Sequence, residues 1–169
     1  MNNNFSIRIW QRKDFEEIRK LLAITWHETY HFIPEKDLMN YLNNFYSIEK
    51  LESIYQDFRF FCFSVENDGS IIGWMKLFDN QIEKKIFINS LYIHPKYQRL
   101  GIGKKLMDLA EAKAKEKSYN ELWIGVMEQN ERTLNWYKKL GFNFIKEEPF
   151  KMGDTVVNHF IGIKLINNY

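Results

Sequence analysis

A short loop with two glycines is the part of this sequence best suited to chemistry. Residues 98–104 read Gln-Arg-Leu-Gly-Ile-Gly-Lys and follow an apolar stretch typical of a strand. Gly101 and Gly103 let the backbone approach an anion, and a helix beginning here would offer its unpaired N–H groups and the positive end of its dipole. Arg99 and Lys104 add positive charge. The pattern predicts a phosphate-binding loop.

Two well-known phosphate-binding loops do not match this segment. A P-loop requires glycine where Gln98 stands, and Ser or Thr where Lys105 stands. The dinucleotide-binding fingerprint requires a third glycine at the position of Leu106. What remains is the pattern Gln-x-x-Gly-x-Gly at the start of a predicted helix.

Two motifs together resemble the GNAT superfamily of acetyl-CoA-dependent N-acetyltransferases. The first is the glycine loop, which follows a strand ending in Leu-Tyr-Ile-His-Pro at residues 91–95. The second is segment 130–142, Asn-Glu-Arg-Thr-Leu-Asn-Trp-Tyr-Lys-Lys-Leu-Gly-Phe, which is similar to the family's N-x-x-A-x-x-x-Y-x-K-x-G-F. Thr133 replaces the alanine of that pattern. The order and spacing of the two motifs also agree with the family.

The resemblance implies an acetyl-CoA site and no metal. Backbone amides of the loop would bind the pyrophosphate, and main-chain groups of the preceding strand would bond the pantetheine arm. Asn130 would contact the same arm while also capping its helix. The implied cofactor-binding residues are Leu91, Tyr92, Ile93, Gln98, Arg99, Leu100, Gly101, Ile102, Gly103, Lys104, Asn130 and Tyr137.

Tyr137 is the implied catalytic residue, although its helical spacing from Leu134 and Leu140 also fits a core position. When an amine attacks the thioester, the tetrahedral intermediate expels the CoA thiolate, and a phenol with a reference pKa near ~10 can donate the proton. Cys62 lies in an aromatic strand and is expected to be a buried, inert thiol. We therefore favour direct transfer in a ternary complex.

The acceptor amine must lose a proton before it attacks. An alkylammonium with a pKa near ~10.4 is only about one part in 2,500 neutral at pH 7. Many family members place Glu on the fourth strand for this purpose, whereas this chain has Phe87 and Asn89 there. Glu83 lies earlier, and Glu128 is the nearest carboxylate linked to a motif. A chain of waters leading to bulk solvent is the alternative.

Two further segments resemble the PaiA-type branch of bacterial GNAT proteins, which is associated with polyamine acetylation. They are Trp-His-Glu-Thr-Tyr-His at 26–31, continuing to Asn-Tyr-Leu at 40–42, and Phe-Lys-Met-Gly-Asp at 150–154. The implied acceptor is spermidine or spermine; a protein N-terminus or lysine, or a non-catalytic acetyl-CoA sensor, are the alternatives. The implied wall residues are Trp26, His27, Glu28 and Tyr30, and the carboxylates available to attract a polycation are Glu28, Glu35, Asp37 and Asp154.

Hydrophobic patterning predicts the elements that position these residues. Asp14 is the expected N-cap of the first helix. The resemblance implies the GNAT fold, an α/β (mixed α+β) fold with a mostly antiparallel sheet of about seven strands, helices on both faces and a splay between the fourth and fifth strands. Strands are predicted over 5–10, 60–66, 71–78, 86–93, 122–126, 144–148 and 156–165, and helices over 14–25, 35–45, 48–55, 104–117 and 130–140.

Length and composition predict one domain over residues 1–169, large enough to bury roughly two thirds of its unfolded surface. The net charge of +2 disfavours nucleic acid and anionic membranes as partners, and the resemblance implies a small-molecule amine as the partner. The single cysteine and the lack of a leader-like or ~18-residue apolar segment favour the cytoplasm. His31 and His159 have no metal-site spacing, so no metal is expected. A homodimer is left open.

Overall fold

Residues 5–166 are described by a computed structural model, in which seven strands form one sheet. A 3-10 turn, Arg12–Asp14, precedes the first helix, and another, Pro95–Tyr97, leads into the glycine loop. The strands are β1 (Ser6–Ile9), β2 (Phe60–Asn67), β3 (Ser70–Asn80), β4 (Lys85–Ile93), β5 (Glu121–Met127), β6 (Asn143–Met152) and β7 (Thr155–Leu165). The helices are α1 (Phe15–Thr29), α2 (Glu35–Phe45), α3 (Ile48–Gln56), α4 (Ile102–Glu116) and α5 (Glu131–Lys139).

The sheet separates in its middle. Its strand order is β1-β2-β3-β4-β5-β7-β6, with antiparallel neighbours except for the parallel pair β4 and β5. Residues Ile86–Ile88 pair with Leu122–Ile124, and pairing stops there although β4 runs on to Ile93 and β5 to Met127. The strands therefore diverge toward their carboxyl ends. The predicted fold class and splay are confirmed.

Two hydrophobic cores hold helices on opposite faces of the sheet. On one face α1, α2 and α3 bury an apolar stripe against Trp74; Ile18 and Leu22 of α1 are fully enclosed. On the other face α4 and α5 cover β3, β4 and β5, and Leu106 and Ala110 are fully buried. Each large apolar side chain buried in this way contributes about 1.5–3 kcal/mol before entropy is counted. The scaffold around the splay is therefore packed on both sides.

Asp14 is the N-cap residue of α1, as predicted, but its side chain makes no capping hydrogen bond to that helix. The carboxylate accepts two hydrogen bonds from Arg8 at 2.7 and 2.8 Å, one from the Gln11 N–H at 2.8 Å and one from the Ser64 hydroxyl at 3.0 Å. Asp14 therefore ties β1 and β2 to the start of α1.

Two of the element boundaries that differ from prediction have a local structural reason. Helix α4 begins at Ile102 rather than Lys104, because Gly101 adopts the left-handed conformation at its N-cap with φ +82°. Strand β6 continues to Met152, beyond the predicted end at Glu148. Pro149 does not end it, because β6 is an edge strand, and proline is tolerated where one side of a strand has no ladder partner. The resulting long hairpin reaches α2.

Candidate active site

A cavity of about 820 Å³ opens where β4 and β5 separate. Residues 89–93 of β4 line one side and 125–127 of β5 the other, because the diverging strands leave their inner edges uncovered. Residues of the glycine loop, α5, α1 and β6 also line the cavity. Of the predicted cofactor residues, the lining includes Leu91, Tyr92, Ile93, Gln98, Arg99, Gly101, Gly103, Lys104, Asn130 and Tyr137.

The glycine loop is held in a shape that exposes its backbone. Gln98 donates from Nε2 to the Ile93 carbonyl at 3.1 Å, which closes the loop onto the end of β4. Arg99 has φ +64° and Gly101 φ +82°, so both adopt left-handed conformations, an uncommon state for arginine. Helix α4 starts directly afterwards, so its unpaired first-turn N–H groups lie at the cavity.

Two predicted loop residues do not line the cavity. Leu100 is 39% exposed, whereas Ile102 is buried in the core beneath α4. Any contact that they make with the cofactor would therefore use main-chain atoms.

Gly103 is closely packed as well as accessible from the cavity. A Cβ at this position would lie 3.0 Å from the ring of Trp136 and 3.4 Å from Cδ1 of Ile93. A side chain here would therefore require the Trp136 ring to shift. The close-packing interpretation and the phosphate-loop interpretation are both compatible with this glycine.

Tyr137 is positioned from the first turn of α5. The Asn130 side chain accepts a hydrogen bond from the Thr133 N–H at 3.4 Å and so caps the helix as predicted. Tyr137 follows two turns later, is only 3% exposed and packs against Trp136 and Phe142 at ring distances of 4.7 and 5.3 Å. Burial, with a smaller effect of Tyr30, raises the pKa of Tyr137. Its phenol therefore carries a proton at neutral pH.

The opposite wall is aromatic. Trp26 and Tyr30 line the cavity as predicted, and Trp26 meets Tyr46 edge-on at 5.6 Å and Tyr92 at 6.0 Å. Tyr41 and Phe150 extend the same surface, with their rings 5.7 Å apart. His27 is exposed and lies outside the lining, because the α1 face that carries it points away from the sheet.

Only one of the four carboxylates expected to attract a polycation borders the cavity. Glu28 lies on its rim. Asp37 instead accepts a 2.6 Å hydrogen bond from the Thr155 hydroxyl, which lowers the pKa of that carboxyl and joins α2 to the β6–β7 hairpin. Glu35 and Asp154 are exposed and lie outside the lining.

Glu148 and His159 are cavity residues that the sequence analysis did not identify. They face each other across β6 and β7. The His159 ring stacks on Phe150 at 4.3 Å, and burial lowers its pKa to about 4 despite an opposing effect of Glu148. The imidazole is therefore neutral at neutral pH. Strand alternation places His159 on the same face as Val157 and Ile161, which was the available signal.

Lys76 of β3 is a third cavity residue that the sequence analysis missed. Its side chain is 9% exposed, and Nζ lies 4.7 Å above the Tyr46 ring and 3.4 Å from the Tyr46 hydroxyl. That hydroxyl is 3.3 Å from Oγ of Ser90. Among residues 5–166, no carboxylate forms an ion pair with Lys76.

The two carboxylates considered as bases lie outside the cavity lining. Glu83 accepts a hydrogen bond from Asn80 at 2.9 Å and pairs with Lys85 at 2.6 Å in the β3–β4 turn. Glu128 is 3.4 Å from the amide nitrogen of Asn158. Phe87 and Asn89 do line the cavity, at the positions where the sequence lacks the family's glutamate.

Cys62 is a buried thiol whose pKa is raised by burial, as expected of an inert cysteine. Within the part of the chain that the structure describes, no group of three or more His, Cys, Asp or Glu side chains could hold a metal ion. None of the helices in that same part is long and apolar enough to cross a membrane.

Comparisons with known proteins agree with this site. The chain matches the Acetyltransferase (GNAT) family over residues 10–142. It is 28% identical over 163 residues to spermidine N(1)-acetyltransferase of Thermoplasma acidophilum, covering 94% of this chain and 95% of that protein. An N-alpha-acetyltransferase of Sulfurisphaera tokodaii is 28% identical over 154 residues, covering 84% and 82%. The crystal structure of PaiA N-acetyltransferase from T. acidophilum in complex with coenzyme A has a TM-score of 0.82 and 26% identity, covering 96% of this chain and 99% of that chain.

The family match spans most of the chain, and the splayed sheet and the glycine loop are both present. The chain therefore belongs to the acetyltransferase (GNAT) family, and it is an acetyl-CoA-dependent N-acetyltransferase. The resemblance inferred from the glycine loop and segment 130–142 is confirmed.

Proposed function

We propose that this enzyme transfers the acetyl group of acetyl-CoA to a primary amine of a polyamine such as spermidine or spermine. The observation that carries the proposal is the cavity at the splay, whose lining combines the glycine loop with an aromatic wall and two exposed carboxylates, Glu28 and Glu148. A relative and a solved structure, both from T. acidophilum and similar to this chain over nearly its full length, are named as a spermidine acetyltransferase and as PaiA.

Acetyl-CoA binds with its pyrophosphate at the start of α4. The exposed N–H groups of the left-handed loop and the helix N-terminus face the anion, and Arg99 and Lys104 add positive charge. The pantetheine arm runs along the uncovered edge of β4 at residues 91–93, where main-chain groups have lost their β5 partners. The thioester then lies between the divergent strands.

Transfer proceeds by direct attack of the neutral amine on the thioester carbonyl. A C–N bond forms, the C–S bond breaks, and the departing thiolate takes a proton from the Tyr137 hydroxyl. Tyr137 is suited to this step because it is protonated at neutral pH and lies at the cavity. Cys62 takes no part, since it is buried in the aromatic core beside Lys76.

A polyamine is held by carboxylates at the rim and by aromatic faces. Glu28 and Glu148 are exposed on the acceptor side of the cavity and can attract the distal ammonium groups. Aromatic rings bind cations through their negative faces, and Tyr41 and Phe150 line the same cavity with their rings 5.7 Å apart. Exposed charges attract weakly and are screened by salt.

The test is thiol release from acetyl-CoA across spermidine, spermine, simple alkylamines, amino acids and N-terminal peptides. We expect the largest kcat/KM for the polyamines, and a KM for spermidine that rises with ionic strength. Glu28→Gln and Glu148→Gln should each raise that KM about two- to fivefold, which matches weak exposed attractions. Asp154→Asn is the matched control, because Asp154 is an exposed carboxylate outside the cavity.

Preferential acetylation of peptides would replace this proposal with an N-terminal acetyltransferase, the activity named for the S. tokodaii relative. Binding of acetyl-CoA without thiol release from any amine would instead favour a sensor.

A further inference from the structure

Lys76 is an unusual lining residue for a cavity that accepts amines, because the substrate and the side chain can carry the same positive charge. Its ammonium is nine-tenths buried and, among residues 5–166, has no carboxylate partner. Its surroundings are the rings of Tyr46, Phe60 and Trp74, at 4.7, 5.8 and 5.9 Å. Burying an ammonium without a counterion is costly, so its position requires an explanation.

The position of Lys76 relates it to the reaction. In the β3–β4 ladder it lies directly opposite Ser90, so both side chains point to the same face of the sheet. Ser90 comes two residues after the last β4–β5 pair and immediately before Leu91, where we place the pantetheine arm. Ser90 and Lys76 both line the cavity. The buried charge is therefore located where the splay begins.

We propose that Lys76 disfavours the protonated form of the acceptor amine at the splay, so that the amine is held there in its neutral, nucleophilic form. This rests on the proposed function. Two like charges in a site of low dielectric repel, so one of the two groups loses its proton more readily. Three aromatic rings and the Tyr46 hydroxyl favour the charged form of Lys76, so the acceptor amine is the group that deprotonates. The carboxylates at the rim attract the distal ammonium groups of a polyamine. The buried Lys76 ammonium favours loss of the proton from the amine that reacts.

The proton leaves to water in the open cavity, and the hydroxyls beside Lys76 can pass it on. Oγ of Ser90 and the Tyr46 hydroxyl lie 3.3 Å apart, Tyr46 accepts from Lys76, and both residues line the cavity. Cys62 of β2 is the strand partner of Lys76, and the phenols of Tyr30, Tyr41 and Tyr92 lie near Tyr46. Arg19 of α1 donates to the main-chain carbonyl of Tyr46 and to Oδ1 of Asn43. Lys76 and the two hydroxyls thus take over deprotonation of the acceptor amine, which the glutamate absent from β4 would otherwise perform.

The decisive variant is Lys76→Met, which removes the charge and keeps most of the volume. If only the neutral amine reacts, kcat reports the proton equilibrium of the bound amine, whereas kcat/KM reports that of the free amine. In Lys76→Met the pH midpoint of kcat for spermidine should therefore rise by about 1–2 units. At pH 7 both kcat and KM should fall about 10- to 100-fold, with kcat/KM little changed.

Two controls separate this effect from damage to the fold. Lys76→Arg keeps the charge and should keep the wild-type pH midpoint. Lys85→Met makes the same change at another lysine above an aromatic ring, 3.5 Å from the Trp123 centroid and outside the cavity, and should leave kcat and KM unchanged. A merely structural role of Lys76 would lower kcat and raise KM, so the direction of the KM change separates the two explanations.

The outcomes are distinct. An unshifted pH midpoint in Lys76→Met, with spermidine still acetylated by wild type, overturns the Lys76 proposal and leaves the proposed function standing. A raised KM restricted to amines that carry a carboxylate also overturns it, because Lys76 would then bind a substrate anion. Absence of thiol release from every amine overturns both proposals.

Discussion

At the scale of single residues, substitutions of Tyr137 and Arg99 test the proposed catalytic and cofactor-binding roles most directly. Segment 130–142 identified Tyr137 from sequence, and the residue lies at the cavity. The sequence could not reveal Lys76 or Glu148, because each comes to the cavity through strand pairing with other parts of the chain, and for His159 it offered only the alternation of β7. A local pattern cannot specify such neighbours.

Tyr137→Phe keeps the packing against Trp136 and Phe142 and removes only the hydroxyl. We expect kcat to fall about 10- to 10⁴-fold, because the thiolate then leaves without its proton donor, while the Kd for acetyl-CoA stays within about twofold. Because the pKa of Tyr137 is raised, the wild-type rate should not decline through phenol ionisation below pH ~10. Turnover equal to that of wild type would show that Tyr137 serves only the core.

Arg99→Gly should weaken acetyl-CoA binding about threefold or more. Glycine keeps the left-handed backbone of this position, where φ is +64°, so the change removes mainly a cation near the pyrophosphate. Lys84→Gly is the matched control, because Lys84 also has a positive φ, +51°, but lies in the β3–β4 turn outside the cavity. Calorimetry that gives equal Kd values for both variants would contradict the role of Arg99.

At the scale of elements, the parallel pair β4 and β5 with its crossover helix α4 creates the site. The period-two strand patterns and the helical stripe of α4 predicted these elements to within a few residues. The start of α4 and the end of β6 were harder to predict from sequence. The first depends on the left-handed conformation of Gly101, and the second depends on β6 being an edge strand. The splay itself followed from the family resemblance, because no local sequence pattern encodes where two strands stop pairing.

The turns at the strand ends carry Glu83 and Glu128, the two carboxylates considered as bases for the acceptor amine. Glu83 and Glu128 lie in turns at opposite ends of the diverging strands and outside the cavity lining, each with a polar partner. Glu83→Gln and Glu128→Gln should therefore each lower kcat/KM less than about tenfold, and the rate should rise steadily with pH toward the amine pKa. A thousandfold loss in either variant would identify that carboxylate as the base.

At the scale of the whole molecule, the cavity joins both cores, so a buried titratable group within it affects global stability. The pKa of His159 is lowered from 6.5 to about 4 by burial. The unfolded chain therefore binds a proton below pH 6.5 that the folded chain accepts only near pH 4. Stability must fall as the pH drops through this window, by up to about 3 kcal/mol from this residue alone.

His159→Phe keeps an aromatic ring against Phe150 and removes the titration. We expect its free energy of unfolding to fall less between pH 7 and pH 4 than that of wild type, with the two curves parallel above pH 7. Urea denaturation across this range measures the difference directly. Parallel curves below pH 6.5 would mean that His159 is not held neutral by burial.

The central claim is direct transfer of acetyl from acetyl-CoA to a polyamine in one cavity. Mass spectrometry of the enzyme and of the amine, after incubation of the protein with acetyl-CoA in the presence and absence of spermidine, tests it most directly. The account predicts acetylspermidine in the complete mixture and an unmodified protein mass in both samples. An acetylated protein that passes its acetyl group to spermidine, or no acetylspermidine at all, would contradict it.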